Sequence, residues 1–110
     1  MLKKFVCICL IAIALTILNI SPVLAGSVNG AEIFQTNCAG CHANGGNIIR
    51  RGKNLKTKAL KRNHVDNREA VVSLVTNGKG IMSAYGDRLT TEEIAAVSQY
   101  VLERAAVDWH

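Results

Sequence analysis

Five consecutive residues, Cys38-Ala39-Gly40-Cys41-His42, place two thiols and an imidazole at close spacing. Two cysteines separated by two residues at a helix end can each form a thioether with one vinyl group of the same porphyrin, and the imidazole that follows can bind the iron. This C-x-x-C-H pattern is the attachment signature of a c-type haem. We therefore predict that Cys38 and Cys41 carry the thioethers and that His42 is the proximal iron ligand.

Two other kinds of site also use a C-x-x-C pair. A dithiol redox site of the thioredoxin type belongs to a βαβ unit, which this chain lacks, and a zinc site needs a second pair of ligands. The only other cysteines are Cys7 and Cys9. The histidine that completes the motif, together with an export signal ahead of it, favours the haem interpretation.

Residues 1–25 have the features of a secretory signal peptide. Two lysines precede an apolar run over residues 5–20, and Val23-Leu24-Ala25 offers a small-residue cleavage site. The apolar run has 16 residues, whereas a membrane-spanning helix needs about 20. We therefore expect cleavage after Ala25 rather than a permanent membrane anchor, which leaves residues 26–110 as one domain.

Removal of the signal changes the composition. The full chain has a formal net charge of +5, and residues 26–110 carry 11 basic and 8 acidic side chains, a formal +3. No disulfide is expected, because Cys7 and Cys9 leave with the signal. The remaining aromatic residues are Phe34, Tyr85, Tyr100 and Trp109. A domain with so small a core usually needs extra stabilisation from a covalent cross-link or a metal. A covalently attached apolar macrocycle would supply the missing core.

Four helical segments are predicted, and no alternating stretch is long enough for a strand, so the fold class is all-α. The first helix runs over 28–39 with Ser27 as its N-cap, and a short second helix covers 55–62. Gly30 is predicted to let another helix pass close to the first, with Tyr100 filling the space. The alternative is that Gly30 only frays the helix start.

The third and fourth helices show capping signals. Asp66 with Glu69 forms a predicted capping box for the third helix, which Gly78 ends. Thr90 with Glu93 forms another at the start of the fourth helix, whose apolar residues recur on one face.

A low-spin electron-transfer haem needs a second axial ligand, for which Met82, His64 and His110 are the candidates. Met82 lies in a glycine-rich loop, from which a flexible thioether can reach the far face of the haem. Axial Met raises the reduction potential, and two protein ligands leave no open site on the iron. We predict a one-electron carrier and not an enzyme. The alternative is a haem enzyme or gas sensor with Met82 in the core and an open sixth site.

Residues 26–110 resemble cytochrome c6, a small class I c-type cytochrome of cyanobacterial and algal photosynthesis. The resemblance lies in Cys38–His42, Asn44-Gly45-Gly46-Asn47, Asn77–Met82, Gly30-Ala31-x-x-Phe34, Gly86–Thr90, Tyr100-Val101-Leu102 and Trp109. It implies a four-helix class I cytochrome c fold around one covalently attached haem. It also implies electron transfer from the cytochrome b6f complex to photosystem I, or to a terminal oxidase, in the thylakoid lumen or periplasm. A monomer without nucleic-acid partners is expected.

Two positions depart from the family pattern. Cytochrome c6 usually has proline after its ligand methionine, where this chain has Ser83, and residues 26–110 contain no proline at all. The family commonly has glutamine near the haem where this chain has Leu74. An aliphatic residue there resembles the lower-potential c6-like variants, which implies other redox partners or regulation as an alternative. An ordinary core leucine is compatible with both interpretations.

Positive charge is concentrated in residues 50–62, where seven basic side chains fall within 13 residues without an acidic one. An exported haem protein rarely meets nucleic acid, so this segment is either a solvated surface or a docking surface for an acidic partner. The resemblance places a functionally important arginine at Arg88, which is predicted to contact a partner. Its alternative role is an ion pair with Asp87 or Glu92.

Overall fold

The structure, a computed structural model, describes residues 3–4 and 26–110. The predicted signal peptide lies almost entirely outside the described residues, so its cleavage stays a prediction. Residues 26–110 form five α-helices, and the only pairing of the β type in them is an isolated bridge. The helices are α1 (Gly30–Asn37), α2 (Ala39–His42), α3 (Thr57–Arg62), α4 (Arg68–Asn77) and α5 (Thr91–Ala106), with 3₁₀ turns at Ala43–Gly45 and Arg51–Lys53. None of the helices within the described ranges is both long and apolar enough to cross a membrane.

The first helix begins later and ends earlier than predicted. Asn29, and not Ser27, is its N-cap, because the Asn29 Oδ1 accepts hydrogen bonds from the backbone N–H groups of Ala31 and Glu32 at 3.1 and 3.3 Å. The helix then breaks at Cys38, whose φ of −118° departs from helical geometry. Cys38 therefore lies at the junction between α1 and α2.

The predicted capping box at the start of α4 is wrong. Asn67 caps this helix, because its Oδ1 accepts a hydrogen bond from the Ala70 backbone N–H at 2.9 Å. Asp66 therefore lies one residue before the cap and outside the helix. Asparagine and aspartate are equally good N-caps, and the sequence pattern alone does not choose between neighbours. Gly78 ends α4 with a φ of 68°, as predicted.

The capping box of α5 is confirmed. The Thr90 Oγ1 accepts a hydrogen bond from the Glu93 backbone at 3.1 Å, and the Glu93 carboxylate accepts one from the Thr90 backbone at 2.8 Å. The predicted second helix starts at Thr57 rather than 55, because Lys56 is extended. The Thr57 hydroxyl donates to the Ala105 carbonyl at 2.9 Å, which fixes α3 against the end of α5.

Helix α5 packs against both α1 and α4 and forms the centre of the core. A Cβ built on Gly30 would overlap the Ala96 carbonyl and lie 3.0 Å from the Tyr100 Cβ, so the predicted close crossing of α1 and α5 is confirmed. Phe34 packs against Tyr100 and Trp109 with ring centroids 5.4 and 5.0 Å apart. The buried cluster consists of Phe34, Val71, Val75, Ile94, Val97 and Val101.

Candidate haem site

The C-x-x-C-H motif forms one tight turn of chain. The backbone N–H groups of Cys41 and His42 donate to the Cys38 carbonyl at 3.2 and 2.9 Å, which keeps both thiols and the imidazole within that turn. Neither cysteine forms a disulfide within the part of the chain that the structure describes. Burial raises the pKa of the Cys38 thiol to about 11, so this thiol is uncharged at neutral pH.

The His42 side chain is fixed by a backbone carbonyl. Its Nδ1 lies 2.7 Å from the Gly46 oxygen. A carbonyl oxygen only accepts hydrogen bonds, so Nδ1 carries the proton and the lone pair of Nε2 is free for a metal. The chain turns back to make this contact through Asn44 and Gly45, which have φ values of 52° and 74°. Gly46 thus supplies the acceptor in a turn that contains no proline.

A cleft opens between α4, α5 and the segment that follows His42. It holds about 1090 Å³ including its open mouth. Its apolar walls come from Phe34, Leu55, Leu60, Val65, Val71, Leu74, Val75, Ile81, Val97 and Val101. Polar and basic side chains also line it, namely Asn47, Arg50, Lys53, Asn54, Asn63 and Lys79. Cys38, His42 and Met82 line the same cleft.

Met82 is held in this lining by a closed loop. The backbones of Lys79 and Met82 exchange two hydrogen bonds of 3.1 Å. Gly80, between them, has a φ of 58°, and a Cβ on Gly78 would press against the Met82 carbonyl. This turn orients Met82 without the proline that the family usually has at position 83.

Tyr85 connects the methionine loop to the cysteine motif. Its backbone N–H donates to the Val75 carbonyl at 2.8 Å, and its hydroxyl donates to the Asn37 carbonyl at 3.0 Å. Asn37 directly precedes Cys38 in the chain. One side chain therefore links the two parts of the sequence that supply the candidate ligands.

The rival ligands lie elsewhere. His64 is exposed and does not line the cleft, and His110 lies beside Asp108 at 3.7 Å. Arg88 is also exposed, with its guanidinium 5.2 Å from the centre of the Tyr85 ring. The ion pairs identified in the described part of the chain do not include Arg88, so neither alternative partner, Asp87 or Glu92, holds it.

Comparison with known proteins agrees with this geometry. Residues 27–101 match the family model described as cytochrome C oxidase, cbb3-type, subunit III. A protein named cytochrome c6-like, from Nostoc sp. strain PCC 7120, is 47% identical over 98% of this chain and 99% of its own length. The cytochrome c6 of Thermosynechococcus vestitus is 42% identical over 99% of this chain and 98% of its own length. The chain belongs to the cytochrome c6 family.

A solved structure supports the same assignment. The crystal structure of cytochrome c6C from Synechococcus sp. PCC 7002 is 62% identical to this chain, with a TM-score of 0.71, and covers 73% of this chain and 98% of its own. The predicted class I cytochrome c fold is confirmed. Members of the cytochrome c6 family are electron carriers with one covalently bound c-type haem, so the predictions of a haem c cofactor and of a carrier rather than an enzyme are confirmed.

The residues that line the cleft fit this group. The cleft combines apolar walls with the free thiol of Cys38, an imidazole whose Nε2 is available and a thioether. The second free thiol, Cys41, is exposed and does not line the cleft, but it lies on the same turn as Cys38 and His42. This is the donor set that c-type haem requires. Two contributors were missed at the level of sequence, the Gly46 carbonyl and the Tyr85 hydroxyl. Only the unusual run Asn44-Gly45-Gly46-Asn47 signalled a special turn.

Proposed function

We propose that this chain carries single electrons from the cytochrome b6f complex to photosystem I, or to a terminal oxidase, as a monomer in the thylakoid lumen or periplasm. The observation that carries the proposal is that His42 and Met82, from distant parts of the sequence, line one cleft together with Cys38. A cleft with a nitrogen and a thioether donor from the protein suits an iron whose axial positions are both filled.

Each residue has a separate role in this proposal. When bound, haem supplies an iron that accepts and releases one electron. Cys38 and Cys41 would hold the group through thioethers, and His42 and Met82 would be its axial ligands. The hydrogen bond from His42 Nδ1 to Gly46 keeps Nε2 available and makes the imidazole a stronger donor.

Replacement of Met82 by alanine tests the second ligand. We expect the Met82→Ala holoprotein to lose the absorption of a thioether-ligated haem and to bind carbon monoxide readily, because the variant leaves one axial position without a protein ligand. The control is His64→Ala, which removes a rival ligand outside the cleft and is expected to leave both properties unchanged. An unaltered Met82→Ala spectrum, or ready binding of carbon monoxide by the parent, would refute the assignment.

A second candidate is a lower-potential carrier of the c6-like type, serving other redox partners or regulation. It is favoured by Leu74, which lines the cleft and offers no hydrogen-bonding group to it. A redox titration of the parent and of Leu74→Gln separates the two candidates, together with electron-transfer kinetics toward isolated photosystem I. A parent potential too low for reduction by cytochrome f, with no saturable transfer to photosystem I, would favour the c6-like role.

The proposed docking role of Arg88 is tested by charge reversal. Its exposed guanidinium is free of ion pairs to Asp87 and Glu92 in the described residues, and is therefore available to a partner. We expect Arg88→Asp to slow transfer to the acceptor at low ionic strength and to leave the reduction potential nearly unchanged. The control is Arg68→Asp, which makes an equal charge change at an exposed position of α4. Equal rates for the parent and Arg88→Asp across a salt series would remove Arg88 from the interface.

A further inference from the structure

Trp109 occupies an unusual position after α5. Asp108 and Trp109 have φ values of 52° and 63°, so two consecutive residues other than glycine are left-handed. This backbone conformation is unfavourable for residues that carry a side chain. The contacts of the Trp109 ring must therefore offset this cost.

The indole of Trp109 forms contacts on three sides. Its ring centroid lies 5.0 Å from that of Phe34 and 6.1 Å from that of Tyr100. Its Nε1–H donates to the Leu55 carbonyl at 3.0 Å. On the third side lies Gly45, which is buried and where a Cβ would overlap the indole. The ring thus packs directly on the backbone of the turn that follows His42.

Two hydrogen bonds connect the loop that contacts the indole to His42. The Leu55 backbone N–H donates to the Gly45 carbonyl at 2.7 Å, so the two loop residues that touch Trp109 are also bonded to each other. The residue after Gly45 is Gly46, whose carbonyl accepts the bond from His42 Nδ1 at 2.7 Å. Gly45 and Gly46 have no side chains to fix that carbonyl, and the turn is also held by the bond from the Gly46 N–H to the Ala43 carbonyl at 2.9 Å.

We propose that Trp109 is a positioning residue for the His42 imidazole. By packing on Gly45 and bonding Leu55, it holds the Gly46 carbonyl in place and thereby the orientation and donor strength of His42. The inference rests on the proposed function, because it takes His42 as an iron ligand. A tryptophan with a merely structural role would affect stability and leave the histidine unchanged.

The experiment uses holoprotein labelled with ¹⁵N in its histidines, and measures exchange of the His42 Nδ1 proton with solvent and the reduction potential. Trp109→Phe keeps an aromatic ring and loses the bond to Leu55 and the contact with Gly45. We expect the Nδ1 proton to exchange about fivefold faster, because a neutral hydrogen bond contributes about 1 kcal/mol. The potential should rise, because a weaker Nδ1 hydrogen bond makes the imidazole a poorer donor to ferric iron.

The control is Ile94→Val, which removes one buried methyl group from α5 away from the cleft lining and lowers stability modestly. It is expected to leave Nδ1 exchange and the potential unchanged. Trp109→Ala should produce a larger effect than Trp109→Phe, and if it yields no folded holoprotein, Trp109→Phe decides alone.

The failures are distinguishable. If the oxidised parent shows no iron-shifted His42 signals in its NMR spectrum, the ligand assignment in the proposed function is wrong. If those signals are present and Trp109→Phe leaves both Nδ1 exchange and the potential at the parent values, only the positioning role is overturned.

Discussion

At the scale of single residues, Ser98 is the least expected feature of the core. It lies on α5 with 0% of its surface exposed, and its hydroxyl has no hydrogen-bond partner among the described residues. A buried hydroxyl without a partner loses its hydration and gains nothing in exchange. This residue therefore reduces the stability of a small domain.

We expect Ser98→Ala to raise the free energy of unfolding by about 1 kcal/mol, because the substitution removes the unsatisfied hydroxyl and leaves little empty space. Chemical denaturation of the holoprotein measures the change. Ser27→Ala, the same substitution at an exposed position before α1, should have no effect. A lower stability for Ser98→Ala would show that the hydroxyl has a partner, such as a buried water.

The grouping of the motif side chains was predictable from their spacing, whereas their contacts with distant backbone carbonyls were not. The C-x-x-C-H spacing identified Cys38, Cys41 and His42 as a group, because the chemistry requires consecutive positions on one turn. The acceptor for His42 was not predicted, because Gly46 contributes a carbonyl that every residue possesses. Only the folded chain shows which carbonyl is close enough.

At the scale of secondary structure, the helix starts show how local signals compete. The box at Thr90 and Glu93 was predicted correctly, since both partners are needed and no neighbour offers the same pair. At α1 and α4 two capping residues lay within two positions of each other, and the sequence pattern selected the wrong one in each case. The existence of α1, α3, α4 and α5 was therefore predictable, whereas the short α2 was not predicted. The exact starts were not predictable either, because several caps have nearly equal energies.

The capping box of α5 gives a prediction with a neighbouring control. Thr90→Ala should lower the free energy of unfolding by about 1 kcal/mol, because the Glu93 N–H loses its side-chain acceptor. Thr91→Ala makes the same change one residue later, where the side chain forms no capping bond, and should be nearly neutral. Thermal or urea denaturation of both variants measures the difference. Equal losses for the two would contradict a capping role for Thr90.

At the scale of the whole molecule, charge is unevenly distributed. All seven basic residues between 50 and 62 are exposed, and the ion pair identified for this segment joins Lys56 to Asp108. Arg50 and Lys53 line the cleft, so the basic segment extends from the candidate haem site onto the outer surface. Such a surface attracts an acidic partner toward the cleft mainly by raising the encounter rate.

We expect the double variant Lys58→Gln, Lys61→Gln to react roughly tenfold more slowly with an acidic redox partner at low ionic strength, and like the parent at high salt. Stopped-flow kinetics over a salt series measure this. The control is Arg68→Gln with Arg104→Gln, which removes the same charge outside both the segment and the cleft lining. If both double variants slow the reaction equally, net charge rather than this surface determines the rate.

The all-α class and the shared cleft were predictable at this scale because covalent haem attachment and helical periodicity both constrain the chain strongly. The contacts of Trp109 were not predictable, because its indole meets Gly45 and the Leu55 carbonyl, which are distant from it in the sequence. Five of the six buried cluster residues also line the cleft, all except Ile94. The core and the cofactor site are therefore the same structure in this domain.

The crossing of α1 and α5 at Gly30 also affects how fast the domain assembles. These two helices are the first long one and the last one in residues 26–110, so their contact closes a loop of most of that range, and contacts of such long range slow folding. A methyl group at position 30 would obstruct this contact and leave the local turns able to form. Refolding of Gly30→Ala should therefore be slower than that of Gly52→Ala, whose added methyl group meets only ordinary contacts. We therefore expect the hydrogen atom that replaces a side chain at position 30 to speed the meeting of the two ends of the domain.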